Sequence, residues 1–130
     1  MVAIFAREIT GTLTGLVKEI DAAVGKNKKK NMAAFLVLMT KDAEGSDKKL
    51  KDLAKKEKIE HTPLTVFDDP AGAGPKGYNV SKDAEVTVIM WVGKNRDVQV
   101  NHAFGKGELN ADAVKTVVAD TSKVLAKAGL

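Results

Sequence analysis

There is no cysteine anywhere in the 130 residues. Disulfide exchange, thiol catalysis and Cys-ligated zinc or iron–sulfur clusters all need cysteine sulfur, so each is excluded. The redox compartment stays open, because a cysteine-free domain tolerates either. Aromatics are also scarce: one Trp, one Tyr and four Phe leave little for stacking against nucleic-acid bases. No phosphate-loop pattern is present, and no nucleotide cofactor is assigned. No apolar run approaches the roughly 20 residues that a membrane-spanning helix needs, and the chain reads as soluble with no membrane span.

What is present suits one compact domain over residues 1–130. The 44% hydrophobic content is ordinary for a globular core. Basic residues outnumber acidic ones by 21 to 17, giving a net charge of +4, a mild excess that is not by itself a nucleic-acid signature. The chain opens directly on the apolar run Val2-Ala3-Ile4-Phe5, without the charged, apolar and cleavage regions of a signal peptide. The expectation is therefore that a leader or flanking domain once preceded it, and localisation is left open.

Periodicity divides the chain into eight elements. Val2 to Ala6 reads as a buried strand. From about Thr12 to Val24, residues Leu13, Leu16, Val17, Ile20 and Val24 recur at helical spacing, with Thr10 or Thr12 as cap and Gly25 as terminator. Ala33 to Thr40 is a continuous apolar strand, as in parallel sheets. After a turn at Lys41 to Gly45, Ser46 or Asp47 is expected to cap a second helix ending near Ile59, with Leu50, Leu53 and Ala54 inward. Pro63 to Phe67 makes a third strand. The Gly- and Pro-rich stretch from Asp68 to Val80 reads as a loop. Val86 to Val92 and Val98 to Phe104 form a hairpin about a turn at Gly93 to Asp97. Asn110 then caps a last helix carrying Val114, Val117, Val118 and Leu125. The order β-α-β-α-β-β-β-α, with two helical crossovers and a late hairpin, predicts an α/β three-layer sandwich around a mixed five-stranded sheet.

The segment Phe5-Ala6-Arg7-Glu8-Ile9-Thr10-Gly11-Thr12-Leu13 resembles the thioredoxin active-site frame Phe-x-x-Glu-x-Cys-Gly-Pro-Cys. Gly77-Tyr78-Asn79-Val80 is similar to the Tyr-Gly-Val segment of that superfamily, and Glu85-Val86-Thr87-Val88-Ile89 to its Pro-Thr followed by an apolar strand. With the element order, the resemblance runs from Val2 to Leu125 and is closest to the peroxiredoxin and thiol–disulfide oxidoreductase branch. It implies a thioredoxin-like fold stripped of its activity. Thr10 and Leu13 stand where the redox sulfurs belong, Thr12 replaces the proline between them, and Val86 falls where the family has a cis-proline. A cis bond before a residue other than proline costs about 2.5–4 kcal/mol, so Val86 is expected to be trans.

The candidate binding residues are Arg7, Glu8, Thr10, Thr12, Val86 and Thr87, gathered at the C-terminal edge of the parallel strands where open α/β sheets hold ligands. Thr10 is read first as a helix cap. The functional alternative is a weak anion pocket at the helix N-terminus, assisted by Arg7. Glu8 is expected to be partly buried there; in the resembling family an acid in this region assists proton movement. His61 and His102 are assigned to opposite sheet edges, about 20 Å apart at the usual strand spacing, so they share no metal. Asp68, Asp69 and Asp83 lack calcium-loop spacing. Trp91, Met90 and Tyr78 are considered as a small pocket and read as packing. Lysines at 26, 28, 29 and 30, and on the second helix at 48, 49, 51, 55, 56 and 58, form the main basic feature. Interleaved Asp47, Asp52, Glu57 and Glu60 favour a solvated face, and nucleic-acid binding is disfavoured. The functional expectation is a redox-inactive, non-enzymatic interaction, scaffolding or regulatory domain with a protein partner and no cofactor or metal. The alternative is a non-thiol enzyme or a glutathione- or anion-binding protein using the first helix. Partner and oligomeric state are not legible.

Overall fold

The computed structural model describes residues 1–69, 72, 74, 75, 78, 80–92 and 97–127. Its elements follow the expected order: β1 (Val2–Ala6), α1 (Gly11–Lys26), β2 (Ala34–Thr40), α2 (Ala43–Glu57), β3 (Leu64–Asp68), β4 (Val86–Val92), β5 (Asp97–Phe104) and α3 (Ala111–Lys127). The chain is thus α/β, with three helices and a mixed five-stranded sheet in the order β3-β2-β1-β4-β5. β1, β2 and β3 run parallel, while β4 is antiparallel to both β1 and β5. β1 lies at the centre, and all five of its residues are buried, as expected of a strand covered on both faces. Opposite Met90 and Trp91, β5 supplies Val100 and then Val98, so Gln99 is the extra residue of a bulge. The hairpin turn expected at Gly93 to Asp97 falls at positions 93–96 outside the described residues, as do Gly77 and Asn79 of the Tyr-Gly-Val likeness.

Two helix boundaries differ from the sequence reading. α1 does not stop at Gly25 but runs to Lys26, and Asn27 closes it by donating its backbone N–H to Ala23 and Val24 carbonyls. Gly25 has another use: a Cβ there would lie 3.0 Å from ring atoms of His61. The glycine makes room for the loop that follows α2, so it marks a close approach rather than a helix end. α2 begins four or five residues earlier than expected, because Asp42 rather than Ser46 or Asp47 caps it, its Oδ1 accepting from Gly45 N at 3.2 Å. An Asp accepts such bonds as well as a Ser does, and Asp42 is the first residue placed to do so. Two other caps match: Thr10 Oγ1 accepts from Leu13 N, and Asn110 Oδ1 accepts from Ala113 N.

The expected third layer is not built from helix. Leu13, Leu16 and Ile20 of α1, Leu50 of α2, and Val117 and Val124 of α3 share one apolar cluster with Ile4, Leu36 and Val88 of the sheet. All three helices therefore cover the same face. The reason is topological. The chain steps from β1 to β2 to β3 in one direction across the sheet, and right-handed crossovers taken in one direction put both connecting helices on one side. The opposite face carries Ala3, Phe5, Met39, Ile89 and Trp91, and is packed by Val80 and Tyr78 from the segment between β3 and β4. Phe5 meets Phe35 edge-on at 6.3 Å and Tyr78 at 4.8 Å, spacings typical of aromatic pairs.

Candidate functional site

The C-terminal end of β1 opens into a small cleft lined by Thr10, Thr12, Glu85, Val86, Gly105, Gly107 and Leu109, with a volume of about 80 Å³. Thr10 is extended at φ −113° and ψ 169°, a shape that turns its hydroxyl back over the first turn of α1. Thr10 Oγ1 accepts from Leu13 N at 3.2 Å and lies 3.2 Å from Thr12 Oγ1, while its carbonyl accepts from Thr14 N at 3.0 Å. The opposite wall is the connection between β5 and α3, held shut by Gly105 N donating to Glu108 Oε1 at 2.6 Å. Gly107 adopts φ +77°, which a residue with a Cβ enters at a cost.

Of the six residues expected at this edge, Thr10, Thr12 and Val86 come together in the cleft. The other three do not. Arg7 turns towards the segment that covers the opposite sheet face, where its Nε donates to Ala84 O at 3.1 Å and its terminal nitrogens reach Ser81 O at 3.1 Å and Asp69 Oδ2 at 3.4 Å. The guanidinium is occupied in pinning that segment and does not assist Thr10. Glu8 is exposed rather than partly buried, since it lies two residues past the end of β1, outside the sheet. Thr87 follows Val86 on a strand, so it points to the other face. There it is buried, and among the described residues its hydroxyl has no hydrogen-bond partner. An unpaired buried hydroxyl costs about 1–3 kcal/mol. Thr87→Val is therefore expected to raise the unfolding free energy by about 1 kcal/mol, read as an upward shift of the denaturant midpoint at constant slope. A downward shift would mean that the hydroxyl is bonded.

Glu85, Gly105, Gly107 and Leu109 were not anticipated. The one available signal was the break Gly105-Lys106-Gly107, and nothing local said that this turn would return to β1. Glu85 has a chemical consequence, because an anion entering the cleft would meet a carboxylate. No hydrogen bond joins Glu85 to either threonine hydroxyl among the described residues.

The remaining candidates are packing features. His102 Nε2 lies 2.7 Å from Asp120 Oδ2 and its ring stacks on Phe104 at 5.8 Å, tying β5 to α3. That pair borders a groove of about 340 Å³ lined by Val100, Asn101, Lys123 and Val124 among others. The hydroxyl beside it, on Thr121, is committed to Val118 O at 2.6 Å. His61 belongs to the loop preceding β3, at the edge opposite β5. Among the described residues no three His, Asp or Glu side chains converge as a metal site. Trp91 and Tyr78 lie on one sheet face and Met90 on the other, so they line no common pocket. No helix among the described residues is long and apolar enough to cross a membrane. Comparison with protein-family models, with curated proteins and with solved structures returns no match.

Proposed function

We propose that this chain is a redox-inactive domain of thioredoxin-like type, akin to the peroxiredoxin and thiol–disulfide oxidoreductase branch, that acts by protein interaction, scaffolding or regulation. The observation that carries the reading is the meeting of Thr10, in the opening turn of α1, with Val86 at the start of β4. Those are the places where the resembling family keeps its first sulfur and its substrate-shaping proline. What the cleft offers is recognition without chemistry. A nucleophilic threonine needs an adjacent base, whereas the Thr10 hydroxyl is engaged as a cap, and among the described residues no hydrogen bond links it to Glu85, the carboxylate that lines the cleft. Small-molecule sites usually enclose about 300–1,000 Å³. A cleft of about 80 Å³ suits one side chain of a protein partner better than a free substrate such as glutathione.

The test restores the missing sulfurs. Wild-type protein is expected to leave insulin reduction by dithiothreitol at its uncatalysed rate, and millimolar glutathione is expected to leave its melting temperature unchanged. T10C/L13C is expected to close a disulfide that dithiothreitol reopens, because a cap and the residue three positions on lie within disulfide span. If both thiols stay reduced in an oxidising glutathione buffer while the fold is retained, the likeness to a redox frame fails. A melting shift with glutathione would instead favour the ligand-binding alternative.

A further inference from the structure

Three helices running in one sense sort charges that are scattered in sequence. α1 and α2 both start at the C-terminal end of the parallel strands and both finish where the next strand begins. Their finishing ends also touch. The Asp21 carboxylate on α1 accepts from Glu60 N at 3.2 Å and His61 N at 2.7 Å, just beyond α2, and the His61 ring lies over Gly25. This contact brings Lys26, Lys28 and Lys29 to the same pole as Lys55, Lys56 and Lys58. All six are exposed, and none makes an ion pair among the described residues, in contrast to Lys18, Lys51 and Lys123. Of the acids in the same stretches, Glu57 is held by Lys18 and Glu60 is exposed. The opposite pole, around the cleft, carries Asp42, Glu44, Asp83, Glu85, Glu108 and Asp112 against Lys41, Lys82 and Lys106. The excess charge therefore changes sign along the helix axes.

Helix-dipole compensation accounts for half of the basic pole. Lys26, Lys55 and Lys56 occupy last turns, where a cation is favoured. Lys28 and Lys29 belong to the short 3-10 turn Lys28–Lys30 that follows α1, and Lys58 lies just past α2. Lys58 holds φ +55°, a left-handed position where glycine or asparagine is usual. Three exposed cations beyond the last turns of α1 and α2, one of them at a left-handed position unfavourable for lysine, are left without a local role.

We propose that this pole docks on the anionic headgroups of a lipid bilayer surface. The cations are all lysines, which act as point charges without the planar, directional fork of a guanidinium. No Phe, Tyr or Trp lies in residues 26–31 or 55–61 to stack on a base. They cap the end of the molecule, so they meet a plane of charge together while the acidic pole is turned away. Anionic leaflets attract clusters of 4–8 lysines or arginines held beside the membrane, and this pole presents six lysines.

The experiment is co-sedimentation with vesicles of phosphatidylcholine alone and of equal parts phosphatidylcholine and phosphatidylserine, at low and physiological salt. Binding is expected only to the anionic vesicles and is expected to weaken as salt rises. K28E/K55E/K56E is expected to bind more than about a hundredfold more weakly, the ratio that corresponds to the usual contribution of three lysines. K41E/K82E/K106E makes the same charge change at the cleft pole and is expected to lose only a few-fold. All six positions are exposed, and circular dichroism checks that both variants fold. Absence of anionic-vesicle binding at low salt overturns the proposal, and so do equal losses in the two variants. Tighter binding to duplex DNA or RNA than to anionic vesicles at equal phosphate also overturns it and reassigns the pole to nucleic acid.

Discussion

Phe5→Ala is expected to lower the free energy of unfolding by about 4 kcal/mol, against a typical total of about 5–15 kcal/mol for a domain of this kind. Phe5 is fully buried at the centre of the sheet, on the face without helices. Its ring packs between Phe35 and Tyr78. Truncation removes apolar contact and leaves a cavity that the strand backbone, paired on both sides, has little freedom to close. Phe5→Leu keeps most of the volume and is expected to cost about 1 kcal/mol. The only tryptophan, Trp91, lies 6.4 Å from Phe35 on the same face, so its fluorescence reports this layer directly. The check is urea unfolding followed by that fluorescence and by far-ultraviolet circular dichroism. Loss of less than about 1 kcal/mol for the alanine variant would show that this face is not packed as described.

Asp21→Ala is expected to cost about 3 kcal/mol. The side chain is buried on α1, yet among the described residues it holds no cation. Its two oxygens accept from two successive backbone amides, Glu60 N and His61 N. Hydrogen bonds to a charged group contribute about 1.5–3 kcal/mol each, and here they fix the turn that leads from α2 into β3. Asp21→Asn retains one amide oxygen but adds a donor facing other donors, so it is expected to recover only part of the loss. Hydrogen exchange separates this role from simple core packing. The amides of residues 60 and 61 should lose protection in both variants before those of β1 do. Unchanged exchange at residues 60 and 61 would remove Asp21 from that role.

Much of the fold was legible before any coordinates. Leu13, Leu16, Ile20 and Val24 recur at helical spacing, and Ala33 to Thr40 is unbroken apolar sequence, so the elements and their order followed from local pattern. Local pattern falls short where a second residue elsewhere decides the outcome. Gly25 reads as a helix terminator, but the His61 ring explains it. Asp42 reads as part of a turn, but it caps the next helix. Element order suggests a third layer of helix, yet the direction in which successive strands are added places α1 and α2 on one face, and α3 packs into the same apolar cluster.

The site divides in the same way. That Thr10 caps a helix at the end of β1 follows from its neighbours, and the absence of sulfur chemistry follows from composition alone, because no arrangement of 130 residues without cysteine supplies a thiolate. Which residues meet Thr10 was set by the sheet. Strand alternation sent Thr87 to the far face while keeping Val86, Arg7 was drawn off by carbonyls more than seventy positions away, and the turn after β5 closed the cleft. The separation of charge into two poles has the same origin. Lysines near positions 28 and 56 are ordinary solvated residues in one dimension. They become neighbours because parallel strands joined by right-handed crossovers end their helices at the same end of the molecule.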